Sequence, residues 1–138
     1  MKKSLVGFSL IEVLVFVTVL GLFFVAALTV TTFNLKNMKI QEHKILATRY
    51  AEEGIEWINQ EKEDDWTVFI AHGSAGGTTY CLNILSWTGG SCGDYSLGVI
   101  FKRELVIKNS GDAVITVYWQ DMGTVLSVPI KTVFKLLE

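Results

Sequence analysis

Gly7-Phe8-Ser9-Leu10-Ile11-Glu12 places one carboxylate at the threshold of a long apolar run, behind a short leader that carries Lys2 and Lys3. The 23 residues from 13 to 35 carry no charge. As a helix rising about 1.5 Å per residue, that run spans roughly 35 Å, enough for the hydrocarbon core of a bilayer. The start of the chain therefore reads as membrane-inserted. A lone carboxylate in such surroundings costs about 2.5 to 3.5 kcal/mol at a helix centre, so Glu12 calls for a cationic partner or a position at the membrane interface. Removal of residues 1–7 would give Phe8 a new α-amino group only four residues from Glu12.

The 138 residues fit one small domain. Half of them are hydrophobic, and the excess is concentrated in the first 33, after which the chain is an ordinary soluble mixture. Formal charge is −2; leaving out Lys2, Lys3 and Glu12, the rest holds ten basic against thirteen acidic side chains, a balance that argues against a nucleic-acid surface. Cys81 and Cys92 lie eleven positions apart in a segment rich in Gly, Ser and Thr. In an exported domain this spacing favours a disulfide, worth roughly 2 to 3 kcal/mol by loop-closure entropy. Two unpaired thiols are the alternative. A zinc site is disfavoured, because His72 is the only imidazole nearby and no C-x-x-C pair completes a tetrahedral set. No metal or cofactor is expected.

Residues 34–64 contain no proline and one glycine, Gly54. Leu35, Met38, Ile45 or Leu46, Tyr50, Ile55 and Ile58 recur three or four apart in most cases, with Lys36, Lys39, Glu42, Arg49, Glu52, Glu53 and Glu56 between them, which predicts an amphipathic helix continuing from the membrane run. Glu61, Glu63, Asp64 and Asp65 crowd a position where the helix dipole prefers cations, so the helix is expected to end there. Residues 66–98 hold seven glycines and read as loops and short strands held by the cysteines. Gly73-Ser74-Ala75-Gly76-Gly77-Thr78-Thr79 lacks the Gly-Lys-Ser/Thr ending of a phosphate loop. From residue 99 the period becomes strand-like: 99–107, the turn cluster Asn109-Ser110-Gly111-Asp112, 113–119, the turn Asp121-Met122-Gly123, and 124–136. Pro129 in the last run predicts an edge strand or an irregularity. The fold expected is α+β, with residues 8–33 as an apolar helix, 34–64 as its amphipathic continuation, and 65–138 as a head. A long helix thus covers one face of a small antiparallel sheet of three or more strands, with a disulfide loop.

The N-terminal pattern of Lys2, Lys3, Gly7, Phe8, Glu12 and an uncharged run resembles the type IV pilin family, which includes the pseudopilins of type II secretion and competence systems. The match covers about thirty residues. Residues 51–56 leading to Trp66, and Val117-Tyr118-Trp119-Gln120-Asp121 in the closing strands, also look like those of minor pilins. The resemblance implies that residues 1–7 are a leader, that a prepilin peptidase cuts between Gly7 and Phe8 and methylates the Phe8 amine, and that Glu12 pairs with the N-terminus of a neighbouring subunit. It implies a non-enzymatic structural subunit, held in the cytoplasmic membrane with its head outside and then drawn by an inner-membrane assembly platform into a surface or periplasmic filament. Many major pilins carry a proline where this chain has Thr29, and its absence fits a minor pilin or pseudopilin better than a shaft subunit.

Rival readings remain open at this point. An ordinary signal peptide cut after Val25-Ala26-Ala27 would release a soluble protein starting at Leu28, but Glu12 interrupts its apolar segment, and hydrophobicity continues through Leu28, Val30 and Phe33. A tip-located minor pilin could grip a surface, DNA or cargo through residues 73–98. A secreted or anchored enzyme finds no Ser-His-Asp pattern, paired metal ligands or nucleotide loop in its support. Trp57, Trp66, Trp87 and Trp119 read as core or interface anchors rather than a ligand platform, and His43 and His72 are assigned no role.

Overall fold

A computed structural model describes residues 9–135. Along them run α1 (Leu10–Asp64), α2 (Trp66–Ala71), β1 (Thr78–Cys81), β2 (Thr88–Gly89), β3 (Phe101–Ile107), β4 (Asp112–Asp121) and β5 (Thr124–Val133). The chain divides into two compact units, Met1–Lys39 and Ile40–Glu138. The described part of the first is helix alone, and its large apolar side chains from Leu10 to Phe33 are exposed.

The second unit is the α+β head. Its five strands form one antiparallel sheet in the order β2-β1-β3-β4-β5. Alternation along β3 and β4 sends Phe101, Leu105, Ile107, Ala113, Ile115, Val117 and Trp119 into the core, as the two-residue period of a pleated strand requires. The same face of β3 carries Arg103. The second half of α1 covers this face with Ala47, Ala51, Gly54 and Ile58, which recur at helical spacing. A disulfide joins Cys81, the last residue of β1, to Cys92, their Cα atoms 4.8 Å apart. The expected long helix on a small antiparallel sheet with a disulfide loop is thus the fold observed, and α1 ends at Asp64 amid the acids that predicted its end.

Four details differ from the sequence reading. Of the apolar stripe read from the sequence, Ile58 is buried and Leu46, Tyr50 and Ile55 pack half-buried against the core. The residues pressed on the sheet also include the small Ala47, Ala51 and Gly54, whereas Leu35, Met38 and Ile45 are exposed. A Cβ at Gly54 would stand 3.0 Å from Ile115 Cδ1 and 3.1 Å from Arg103 Cδ, so helix and sheet approach too closely here for a larger residue. Residues 66–71, read as loop, form α2, because the Asp65 carboxylate accepts from Thr67 N (2.8 Å) and Val68 N (3.0 Å) and caps a new helix. The acid taken as the end of one helix is the start of the next. Strand β3 begins at Phe101 rather than 99, since Gly98 and Val99 both have positive φ (53° and 78°). The last strand ends at Val133, short of 136. Pro129 lies on β5, an edge strand, where its missing N–H is tolerated. The β4–β5 hairpin turns through Met122 and Gly123, with φ of 48° and 81°, the positive pair of a primed two-residue turn.

Candidate functional site

Glu12 sits in the first turn of α1, its N–H donating to the Ser9 carbonyl at 2.9 Å. A carboxylate there is favoured by the unpaired amides at the helix start. Its neighbours Leu10, Ile11, Val13, Leu14, Val15 and Phe16 are all apolar and exposed. Neither of the two ion pairs among the described residues includes Glu12. The positions expected to be cut and methylated, Gly7 and Phe8, lie outside the described residues.

The threonine hydroxyls inside the apolar run are satisfied by the helix itself. Thr18 donates to the Val15 carbonyl (2.8 Å), Thr29 to Val25 (2.9 Å), Thr31 to Ala27 (2.9 Å) and Thr32 to Leu28 (2.8 Å). A threonine that closes its hydroxyl onto the preceding turn presents only its methyl group outward, as a lipid or apolar protein environment demands. The helix contains a stretch long and apolar enough to cross a membrane, and none of that stretch is buried within the chain. Length, apolar surface and internally satisfied hydroxyls are together compatible with a transmembrane segment.

Within the head, Arg103 is 1 % exposed and makes a set of contacts that its sequence context did not announce. Its Nε donates to the Leu82 carbonyl (3.0 Å), and one terminal nitrogen donates to the Tyr50 carbonyl (2.6 Å) and to Glu53 Oε2 (2.9 Å). Desolvation lowers the Arg103 pKa from its ordinary value, with the Glu53 hydrogen bond and charge opposing. Glu53 is half exposed, so the pair joins a buried cation to a solvated anion. The guanidinium thereby ties α1, β3 and the segment after β1 together. Signals for this were faint: an arginine at an inward position of an otherwise apolar strand, and Glu53 one residue before Gly54.

The disulfide loop is pinned at its middle by Trp87. Its indole N–H donates to Glu61 Oε2 (2.8 Å), and its ring stacks on His72 at 3.9 Å with 6° between planes. Trp57 and Tyr80 approach it at 5.2 and 5.1 Å. Trp119 is core, and Trp57, Trp66 and Trp87 pack half-buried against that core, the anchor role expected of them. His72 is thus a structural partner, and His43 meets the Phe101 ring edge-on. The glycine-rich stretch at 73–79 is a link in the sheet: Ser74 bridges to Lys108 and accepts from Asn109 N at 3.2 Å before the chain enters β1. Among the described residues, no group of three His, Cys, Asp or Glu side chains could hold a metal ion.

Comparison with protein-family models, with curated proteins and with solved structures finds no match for this chain.

Proposed function

We propose that the chain is a structural subunit of the type IV pilin class, a minor pilin or pseudopilin of a pilus or of a related secretion or DNA-uptake filament. The observation that carries this reading is the exposed apolar helix with a single acid in its first turn. A soluble protein has no use for so much uncovered apolar surface, and an ordinary membrane anchor has no use for the acid. In this reading a prepilin peptidase removes residues 1–7 and methylates Phe8. The subunit waits in the cytoplasmic membrane with its head outside, and an assembly platform then extracts it into a filament.

Moving the helix from lipid into a bundle of like helices exchanges one apolar environment for another, so close packing and polar contacts decide the register. Phe16, Val17, Leu20, Phe23 and Phe24 supply the packing surface, all of them exposed. Glu12 supplies the polar contact, pairing with the amine of a neighbouring subunit's Phe8. No catalysis is assigned.

The deciding experiment is the mass and N-terminal sequence of the protein recovered from membranes of cells with a prepilin peptidase. The expected chain begins at methylated Phe8; a start at Leu28 would mean a secreted soluble protein, and an intact Met1 would reduce the helix to a plain anchor. Glu12→Ala and Glu12→Leu should still be processed and inserted, but lost from filaments. Normal incorporation of either variant would sink the charge-pair step.

A further inference from the structure

The turns at the two ends of the head differ in kind. Ile115 lies against Gly54, and Phe101, paired with Trp119, meets the ring of His43, so β4 runs toward Ile40, where α1 enters the head. The Met122-Gly123 turn follows three residues beyond Trp119, about 10 Å further at the rise of a strand. The loop 98–100, closed by the bridge between Leu97 and Phe101, lies at the same end of β3. At the opposite end of the sheet the chain turns through Asn109, Ser110 and Gly111, beside the exposed Ser74 and Ala75. Those residues are polar or small, as turn chemistry favours. At the Ile40 end the tips are instead Val99, 84 % exposed, and Met122, 80 % exposed.

Both tip residues also break a backbone rule. Val99 and Met122, with φ of 78° and 48°, are the only residues other than glycine at positive φ among the described residues. The left-handed region penalises a β-branched side chain, and the first central place of a primed turn favours Asn, Asp or Gly. Two apolar side chains are thus held out with local strain, each where a polar side chain or none would sit more easily. Packing does not account for them, because neither belongs to the core. A departure of this kind from local preference marks a functional position rather than a folding one.

The sequence supplies a surface to cover them. Leu35 ends the uncharged run and Ile40 opens the head, five residue steps later. Five steps reach about 7.5 Å as helix and at most about 18 Å fully extended, and the headgroup layer outside the hydrocarbon core is itself about 5 to 8 Å deep. Whatever angle the chain takes there, the Ile40 end of the head is held close to the membrane surface once the run spans the bilayer. Residues 36–44 hold three exposed lysines and one glutamate, whereas residues 52–65 hold seven acids and one lysine. Anionic headgroups therefore attract the Ile40 end of the head and repel the other.

We infer that the Ile40 end of the head rests on the lipid surface, with Val99 and Met122 entering the boundary between headgroups and acyl chains. This contact rests on the membrane step of the reading above and is independent of the filament step. Apolar side chains in that boundary, with lysines among the headgroups, are how a protein holds to an interface without spanning it. The two tips give the head a second attachment besides α1, and so fix which of its sides faces the membrane.

The test places the full chain in vesicles of phosphatidylcholine and phosphatidylglycerol, with a polarity-sensitive fluorophore on one added cysteine while the Cys81–Cys92 disulfide stays oxidised. The chains compared are Val99→Cys, Met122→Cys, Ala75→Cys at the opposite end of the sheet, and Phe24→Cys inside the apolar run. Lipids that carry a quencher on the acyl chain should quench the labels at 99, 122 and 24 and leave the label at 75 bright. Labels at 99 and 122 as bright and as water-like as the one at 75 would overturn the inference. Blue-shifted emission at 99 and 122 without quenching would overturn it too, because protein rather than lipid would then cover the tips. A label at Val125→Cys, exposed beside the turn, keeps both native tips in place and should also be quenched. Val99→Asp with Met122→Asp should abolish that quenching, and unchanged quenching would show that the tips do not make the contact. The label at 24 separates the two ideas. Quenching at 24 without quenching at 99 and 122 removes only the head contact, whereas an unquenched label at 24 removes the membrane reading and this inference with it.

Discussion

The two halves of α1 follow opposite rules. From Leu10 to Phe33 the side chains are large and apolar and nearly all exposed, while from Ala47 to Ile58 the buried ones are mostly small. Size and hydrophobicity therefore do not by themselves mark the face that a helix buries within its own chain. In the first half, bulk is displayed toward an environment that the chain does not supply. In the second, the helix backbone itself is brought close to β3 and β4, and Ala47, Ala51 and Gly54 are what that approach leaves room for. The apolar half finds no cover within its own chain, whereas the small-residue half has a single fixed partner in the sheet.

The largest effect that would break this contrast is expected at Arg103. If the small-residue face works by closeness alone, losing a buried cation between helix and sheet should be tolerated; if the guanidinium is the polar bolt of that contact, it should not. Arg103→Ala opens a cavity and strands the Leu82 and Tyr50 carbonyls, which predicts a loss of about 3 kcal/mol in head stability. Thermal unfolding of the detergent-solubilised chain should show a fall of many degrees. Arg103→Lys should recover only part of it, since one ammonium cannot serve the positions that Nε and the terminal nitrogen occupy. A wild-type midpoint for Arg103→Ala would mean that the bolt is not needed.

Ala51→Leu comes next. Ala51 is fully buried on the packed face, and three added carbons have nowhere to go without moving helix from sheet, so a loss of about 1 to 3 kcal/mol is expected. The reverse exercise at Ile45, 63 % exposed, should be nearly silent in the same measurement, with Ile45→Ala shifting stability by less than about 0.5 kcal/mol. Should Ile45→Ala prove the more costly of the two, the assignment of faces along α1 would be wrong.

These positions also show what could be read from the sequence and what could not. The run at 13–35, the acid at 12, the strand alternation from Phe101 to Trp119 and the edge-strand proline were legible because each rests on a local rule: length, charge placement, period, or a missing N–H. The packed face of α1 was legible in part, through Leu46, Tyr50, Ile55 and Ile58. A period search weights large apolar residues, so it also takes in the exposed Leu35, Met38 and Ile45 and passes over the small residues, whereas the decisive quantity there is the helix-to-sheet distance, which only the assembled sheet sets. Ala47, Ala51 and Gly54 do keep helical spacing, and a search for small residues in that rhythm would have found them. The Arg103–Glu53 pair spans fifty residues and no local pattern announces it. Residue 65 was read as one acid among four, although an Asp directly before Trp66 and an apolar stretch is also the signature of a helix cap.

The smallest expected effect gives the sharpest form of the contrast. Phe24 is 59 % exposed in the apolar half, and no described side chain of the head depends on it. Phe24→Ala should leave head unfolding within about 0.5 kcal/mol of wild type, although the same truncation of a core phenylalanine such as Phe101 would cost about 3 to 5 kcal/mol. What Phe24→Ala should change is the response to surroundings: a weaker hold on the membrane, and looser packing wherever several copies of the helix meet. Unfolding in detergent and retention in salt-washed membranes, measured on the same preparation, separate these outcomes. A fall in the unfolding midpoint would show that the head relies on the apolar half for its stability, and the exposed phenylalanines would then be stabilising this chain rather than awaiting neighbours.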